Sequence, residues 1–266
     1  MRLLRRILIT VVITLAVIFV AVRWMAPVAL SFYAAKKVPS IARIVPTELK
    51  DHSVSQAPGV KLSYFGYEFE VPWSDLDESK AMLYPKDKPE KTRVVLTFRS
   101  GLRLMVTAVP AREFANEFTK EDFRMSPAKF EAVFGHGTAT SDYAFARNVY
   151  EFTPAKMHYW SVSDGVHYRE QVMLIVKSIM PVRAAETGIF YVQSQDYKGF
   201  QQGDPAVRKD NLVLDLYAGD NHCEIIFLQK DYHDAAGVTQ PEINRVIQSL
   251  HRTADSDMAR AENQND

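Results

Sequence analysis

The chain has 266 residues, 47% hydrophobic and 24% charged, enough for one sizeable domain or two small ones. Its zero net charge conceals a segregation: residues 1–50 carry eight Lys/Arg against one acid, Glu48, so the rest is acidic by seven charges. An acidic body argues against general nucleic-acid binding, which needs a basic surface to neutralise phosphates, and a single cysteine, Cys223, excludes an intrachain disulfide.

Residues 1–35 read as an N-terminal membrane anchor. MRLLRR precedes sixteen uncharged residues, 7–22, and Arg23-Trp24 follows. As a helix this run spans about 24 Å, short of the ~30 Å hydrocarbon core. Leu3 and Leu4 extend it on one side, and a snorkelling Arg23 followed by semi-apolar residues to Ala35 extends it on the other. A cleaved signal peptide would share the basic start and apolar run. The best small-residue site, Ala29-Leu30-Ser31, lies far downstream beside Pro27, so an uncleaved single-pass anchor is favoured. The lipid bilayer is then a partner through residues 7–35. Arg2, Arg5 and Arg6 favour a cytoplasmic N-terminus, placing the C-terminal domain outside the cell membrane.

Residues 36–59, with Pro39, Pro46, Pro58 and Gly59, read as a linker; residues 60–252 form the domain, and 253–266 a flexible polar tail. The domain opens with KLSYFGYEFEVPW, five aromatics in thirteen positions. Tyr67, Phe69 and Val71 alternate with Glu68 and Glu70, which predicts a strand with one buried face after a turn at Gly66. Alternation also predicts a hairpin of 93–99 and 102–109 turning at Ser100-Gly101, and a second over 211–229 turning at Gly219-Asp220. Residues 189–195 form another candidate strand, followed by a polar loop, DYKGFQQGDPAVRKD.

Helical spacing interrupts these strands. Ser126-Pro127 starts a short helix with Phe130, Val133 and Phe134 on one face, stopped by Gly135. Residues 141–152 present Tyr143, Ala146, Val149 and Tyr150. Ser163 or Asp164 caps a longer helix with Val172, Ile175, Val176 and Ile179 on one side, ending before Pro181. In the last helix Thr239 and Glu242 have capping-box spacing, and Ile243, Val246, Ile247 and Leu250 share a face. Strand pairs interleaved with helices predict an α+β domain, an antiparallel sheet covered by helices, preceded by one transmembrane helix.

The opening GYEFEVPW, the central hairpins and the closing TQPEINRVIQSL helix resemble the PsbP/Mog1-type α/β/α sandwich. Residues 110–200 fall outside that resemblance, being richer in helix. The family consists largely of accessory and binding proteins, and the resemblance implies a non-enzymatic role. It supplies no catalytic motif to carry over.

No linear signature of a hydrolase, zinc protease, Walker loop, dinucleotide fold or paired C-x-x-C is present. The most suggestive cluster is Asp220-Asn221-His222-Cys223-Glu224. With the turn at Gly219-Asp220, Tyr217 faces His222 and Asp215 faces Glu224. Facing carboxylates destabilise a strand pair unless a cation, metal or proton intervenes. Asp215, His222 and Glu224 are therefore the candidate metal ligands, weighed against a solvated sheet face, and no cofactor is expected. Cys223 reads as a small apolar residue alternating with Ile225 and Phe227, and Gly135-His136-Gly137 as a helix stop with an exposed imidazole. Residues 197–205 read as a connector with Phe200 covering the core edge, or as a ligand loop. His158-Tyr159-Trp160 precedes a helix start where amides can receive an anion, although closing a core edge is the commoner use of such rings.

These residues lead to a membrane-anchored binding or accessory domain without covalent catalysis, with a protein partner possible. The alternatives are a membrane-tethered hydrolase or metal-dependent enzyme without a linear motif, and a small-ligand carrier.

Overall fold

The structure is a computed structural model. It describes residues 40–88, 90–112, 125–159, 164–178, 185–207, 211–229 and 237–253, position 116, and scattered positions between 14 and 37. The fold is α+β. Its larger sheet has eight strands, in the order β1 (Thr47–Glu48), β7 (Ile189–Gln193), β8 (Lys198–Gln202), β9 (Leu212–Ala218), β10 (Asn221–Gln229), β6 (Leu102–Val109), β5 (Arg93–Thr97) and β4 (Met82–Tyr84). Every pairing is antiparallel except β1 with β7, which is parallel. A second sheet joins β11 (His251–Arg252), β3 (Tyr67–Val71) and β2 (Val60–Tyr64). The helices are α1 (Pro127–Phe134), α2 (Asp142–Glu151), α3 (Asp164–Ser178) and α4 (Gln240–Ser249).

The aromatic opening folds as its alternation predicts. Phe65 and Gly66, at φ +55° and +78°, form a two-residue turn with both residues left-handed, the geometry that matches strand twist. Tyr67, Phe69 and Val71 point into the core and the two glutamates sit half-buried on the other face. Glu70 meets Arg245 of α4 at 2.7 Å. Trp73 donates its indole N–H to Glu242 Oε1 at 3.0 Å, while Glu242 Oε2 accepts the Thr239 amide at 2.8 Å. The carboxylate that caps α4 thus also ties that helix to the domain's first hairpin. Ile243, Val246, Ile247 and Leu250 bury almost completely, each contributing about 1.5–3 kcal/mol. They join Phe69, Leu96, Leu104, Leu214, Ile225 and their neighbours in one dry core between the large sheet, the small sheet and α4.

The opposite face of the large sheet carries α2, where Ala146 and Tyr150 pack with Phe200 and Tyr217. Helices α1, α2 and α3 close around their own cluster of Phe130, Phe134, Phe145 and Met173. Ser126 accepts from the Lys129 amide at 3.3 Å and Gly135 ends α1, as the spacing predicts.

Three features depart from the sequence reading. The expected linker is packed against the domain: Ile41 and Ala42 are fully buried, β1 pairs with β7, and Asn244 and Arg245 of α4 donate to the carbonyls of Asp51, Ser53, Ser55 and Ala57. Its prolines interrupt regular structure without releasing the chain. The polar loop after β7 contains the strand β8, where Gly199 through Gln202 are all buried. Gly199 is required there, because a Cβ would meet Asp215 O of β9 at 1.8 Å. Helix α3 follows the expected face only in part: Val176 is buried and Val172 packs against the helical cluster, but Ile175 is 61% exposed, Glu170, Met173, Leu174 and Lys177 face inward, and Ile179 lies outside the described residues. The expected membrane helix lies almost wholly outside the described residues, and among those described no helix is long and apolar enough to cross a membrane. Of the polar tail, 254–266 also lie outside the described residues.

Candidate functional site

The second hairpin has the predicted register, with Glu224 opposite Asp215 and His222 opposite Tyr217. The neighbourhood differs from a solvated face because α2 lies over it. Asp215 is 7% exposed, and its Oδ2 accepts from Gln202 Nε2 at 2.7 Å and from the Tyr150 hydroxyl at 3.5 Å. Gln202 Nε2 also donates to the Tyr150 oxygen at 2.6 Å. His222 Nε2 stands 3.4 Å from Asp215 Oδ1 and its ring stacks on Tyr217 at 4.3 Å. Burial, reinforced by Asp215, pushes the Tyr150 hydroxyl far above its ordinary range, so it donates rather than ionises. Among the described residues no three His, Cys, Asp or Glu side chains are grouped to hold a metal. The chemistry of Asp215 is directed to neutral donors on α2 and β8.

The other sequence candidates fall into structural roles. Cys223 is fully buried in the dry core, and burial pushes its thiol far above the usual range, which removes the thiolate needed for nucleophilic attack. His136 is exposed just past the end of α1, 3.4 Å from Glu131. Phe200 is core, stacked on Tyr143 at 5.5 Å. Beside α3, the His158 amide donates to Glu170 Oε2 at 2.8 Å and its ring Nδ1 lies 2.5 Å from Oε1. A resident carboxylate thus occupies the position considered for an anion. Tyr159 closes an edge of the protein by stacking on Phe32, while Trp160 lies outside the described residues.

Lys177 was not visible in the pattern, standing where helical spacing suggested a wet face. Its ammonium is fully buried and donates to the carbonyls of Ile44, Tyr150 and Phe152 at 2.5, 2.7 and 2.8 Å. Two of these belong to the C-terminal end of α2, where a cation is favoured by the helix dipole. Burial, with repulsion from Lys156, pushes its pKa down to about 8. It joins α3, α2 and the segment before β1.

Among the described residues a half-open cleft of about 480 Å³ lies between β1, α2, β7, β8 and α4. Its polar wall comprises Glu48, Tyr143, Arg147, Tyr191, Gln193 and Lys198. Tyr143 and Arg147 stand one turn apart on α2, and Lys198 Nζ lies 4.4 Å from the Tyr143 ring centroid. Arg147 Nε and the Tyr191 hydroxyl both donate to Glu151 Oε1 at 2.7 Å. Burial opposes the Glu151 carboxylate, but those two bonds outweigh it and hold its pKa below the ordinary range. Burial and the same carboxylate push Tyr191 up to about 12. Arg147 therefore keeps its two Nη groups for other acceptors, and among the described residues the side chains of Glu48 and Lys198 make no hydrogen bond. A second, more apolar hollow of about 450 Å³ is lined by Phe190, Pro205, Val238 and Pro241.

Of this wall the sequence reading touched only Tyr143, on a helical face, and Lys198, within the connector or ligand loop of 197–205; Glu48, Arg147, Tyr191 and Gln193 read as ordinary polar or aromatic positions, because the wall is assembled from four separate segments. Comparison with protein-family models, with curated proteins and with solved structures gives no match.

Proposed function

We propose that this protein is a membrane-anchored accessory domain that binds a ligand or partner at the polar cleft, without covalent catalysis, with its C-terminal domain outside the cytoplasm. The cleft carries the reading: side chains of both charge signs converge there with donors and acceptors left over, while the buried charges of Asp215 and Lys177 are engaged by neighbouring donors and carbonyls. A set of oriented but unsatisfied polar groups in a concavity recognises a polar partner. The phenols of Tyr143 and Tyr191 in the cleft are held in their neutral forms, which suits recognition better than proton transfer at neutral pH. The resemblance of the domain's two ends to PsbP/Mog1-type accessory proteins supports the same reading.

A photo-crosslinking amino acid placed at Gln193 of the full chain, in native membranes, tests it. A discrete adduct that is absent when the same residue replaces Leu83, on the far edge strand, is the expected result. Equal labelling from both positions, or none from Gln193, counts against the cleft. A phosphatase reporter after Asp266 checks the orientation, and activity confined to the cytoplasm would reverse it.

A further inference from the structure

The strand lane beside β7 is only partly used. β1 fills it opposite Phe190 and Tyr191, and Glu48 is its last paired residue. The chain then turns away towards α4, where Asn244 Nδ2 holds the carbonyls of Asp51 and Ser53 at 2.8 Å. The cleft opens where the strand stops, lined by Glu48 and Leu49 on one side and Tyr191, Val192 and Gln193 on the other. Tyr191 packs on the α2 face of the sheet, and Val192 lies in the dry core on the α4 face. A cavity that reaches both residues, and side chains of both helices, lies at the sheet's free edge.

The phase of the ladder shows what β7 offers there. The Ser194 amide donates to Tyr197 O at 2.8 Å and the Gly203 amide to Gly188 O at 2.9 Å. At both ends of the β7–β8 pair the even-numbered residues of β7 are therefore the ones bonded to β8. Intervening residues of an antiparallel pair turn their amides and carbonyls the other way, so Gln193 is directed out of the sheet into the vacated lane. Its carbonyl accepts from Gln248 Nε2 of α4 at 3.1 Å, which agrees with that direction. Its N–H has no hydrogen-bond partner among the described residues. A main-chain donor beside an acceptor on an uncovered sheet edge is matched by another main chain in extended form.

Side chains around the lane set its specificity. On the α2 side, Arg147 has Nε committed to Glu151 and its Nη pair uncommitted, while Lys198 Nζ stands 4.4 Å from the Tyr143 ring centroid. A guanidinium fork with an ammonium nearby suits a carboxylate. On the α4 side the lane is walled by the apolar Val192 and Ile247. Successive side chains of an extended chain point to opposite faces, so one strand meets both walls. Building on the binding reading of the cleft given above, we infer that its occupant is an extended peptide of a partner protein. The peptide adds to the sheet as a strand beside Gln193 and turns an acidic side chain to Arg147 and Lys198. Glu48 lines the same opening and repels further acids, so the segment recognised is not a polyanion.

Panning the full-length chain in detergent micelles against a phage-displayed library of random peptides tests this. The expected result is a consensus with one acidic position. The synthetic consensus peptide should slow amide exchange at Gln193 about tenfold or more at saturation. Its affinity should fall about tenfold to a hundredfold for Arg147→Ala, with the urea midpoint of the variant as the folding control. Replacing the peptide's acid by its amide makes the same measurement on unaltered protein, and the same loss is expected. Failure to enrich any sequence overturns the inference. So does a bound peptide that leaves Gln193 exchange unchanged, or that binds equally well without its acid. If the crosslinked adduct at Gln193 still forms in native membranes, these results remove the peptide and leave the cleft a site for another class of ligand. Loss of the adduct as well overturns both readings.

Discussion

The two faces of the eight-stranded sheet are built from the same alternating strands, yet they reach burial by different physics. On one face Leu96, Leu104, Leu214, Leu216, Cys223 and Ile225 meet α4 and the small sheet in a dry core, with Gln201 at its edge bonded to Gln240 at 2.7 Å. On the other, α2 covers Asp215, Gln202 and Tyr217, and the contact is held by directed hydrogen bonds. A dry face is non-directional and tolerates any apolar partner of suitable volume. A polar face needs its partners at particular atoms. Each face leaves one buried polar atom unpaired among the described residues, Gln202 Oε1 on the polar side and the Tyr197 hydroxyl in the dry core, at a cost of about 1–3 kcal/mol apiece. The helical side is therefore set apart by the specificity of its contacts.

The largest effect expected from breaking this contrast is on the dry face. Phe69→Ala removes a 1% exposed ring from the centre of the core and should cost about 3–5 kcal/mol in urea unfolding. An unchanged midpoint would mean that the first hairpin is not part of the cooperative core.

Lys177→Ala comes next, because it orphans three carbonyls at the junction of α2, α3 and the segment before β1; a loss of about 2–4 kcal/mol follows. Its pH signature has a definite sign. The lysine titrates at about 8 in the folded protein against 10.5 ordinarily, so between those values the unfolded chain binds more protons and stability rises with pH. Below pH 8 that contribution is lost. Unfolding midpoints from about pH 7 to pH 9, below the range where ordinary tyrosines ionise, should rise in wild type relative to the variant, a difference that cancels the opposing contribution of the buried Cys223 thiol present in both.

The smallest effect is at the sheet's polar centre. Asp215→Ala strips the acceptor from Gln202 and Tyr150 and should cost about 1–3 kcal/mol. Hydrogen exchange should show faster opening of α2 while α4 is unchanged, if the two faces are separable units. Uniform acceleration across both would join them into one.

Legibility followed the same division. Both long hairpins could be read from period-two alternation and a glycine turn, and in the second even the pairing of Asp215 with Glu224; the first turns over one more residue than Ser100-Gly101, with Leu96 opposite Leu104. Helices α1 and α4 were legible from their caps and apolar spacing. Strand β8 was not, because Lys-Gly-Phe-Gln-Gln resembles a loop unless the neighbouring backbone that forbids a Cβ at Gly199 is known. The buried face of α3 was misjudged for a related reason: its inward positions include Glu170 and Lys177, whose partners lie 12 or more residues away. The linker's attachment and the cleft were equally hidden, since both depend on side chains from distant segments meeting.

The sequence by itself determined the α+β class, the principal hairpins and the placement of Phe69, Val71, Cys223 and the α4 stripe in the core. Hydrophobic burial depends chiefly on residue type and period, and both are written locally. Only the tertiary structure decided that Asp215, Gln202, Glu170 and Lys177 are interior, and that Glu48, Arg147 and Lys198 share one cleft. A polar group can be buried only where specific partners replace its water, and those partners are chosen by the fold.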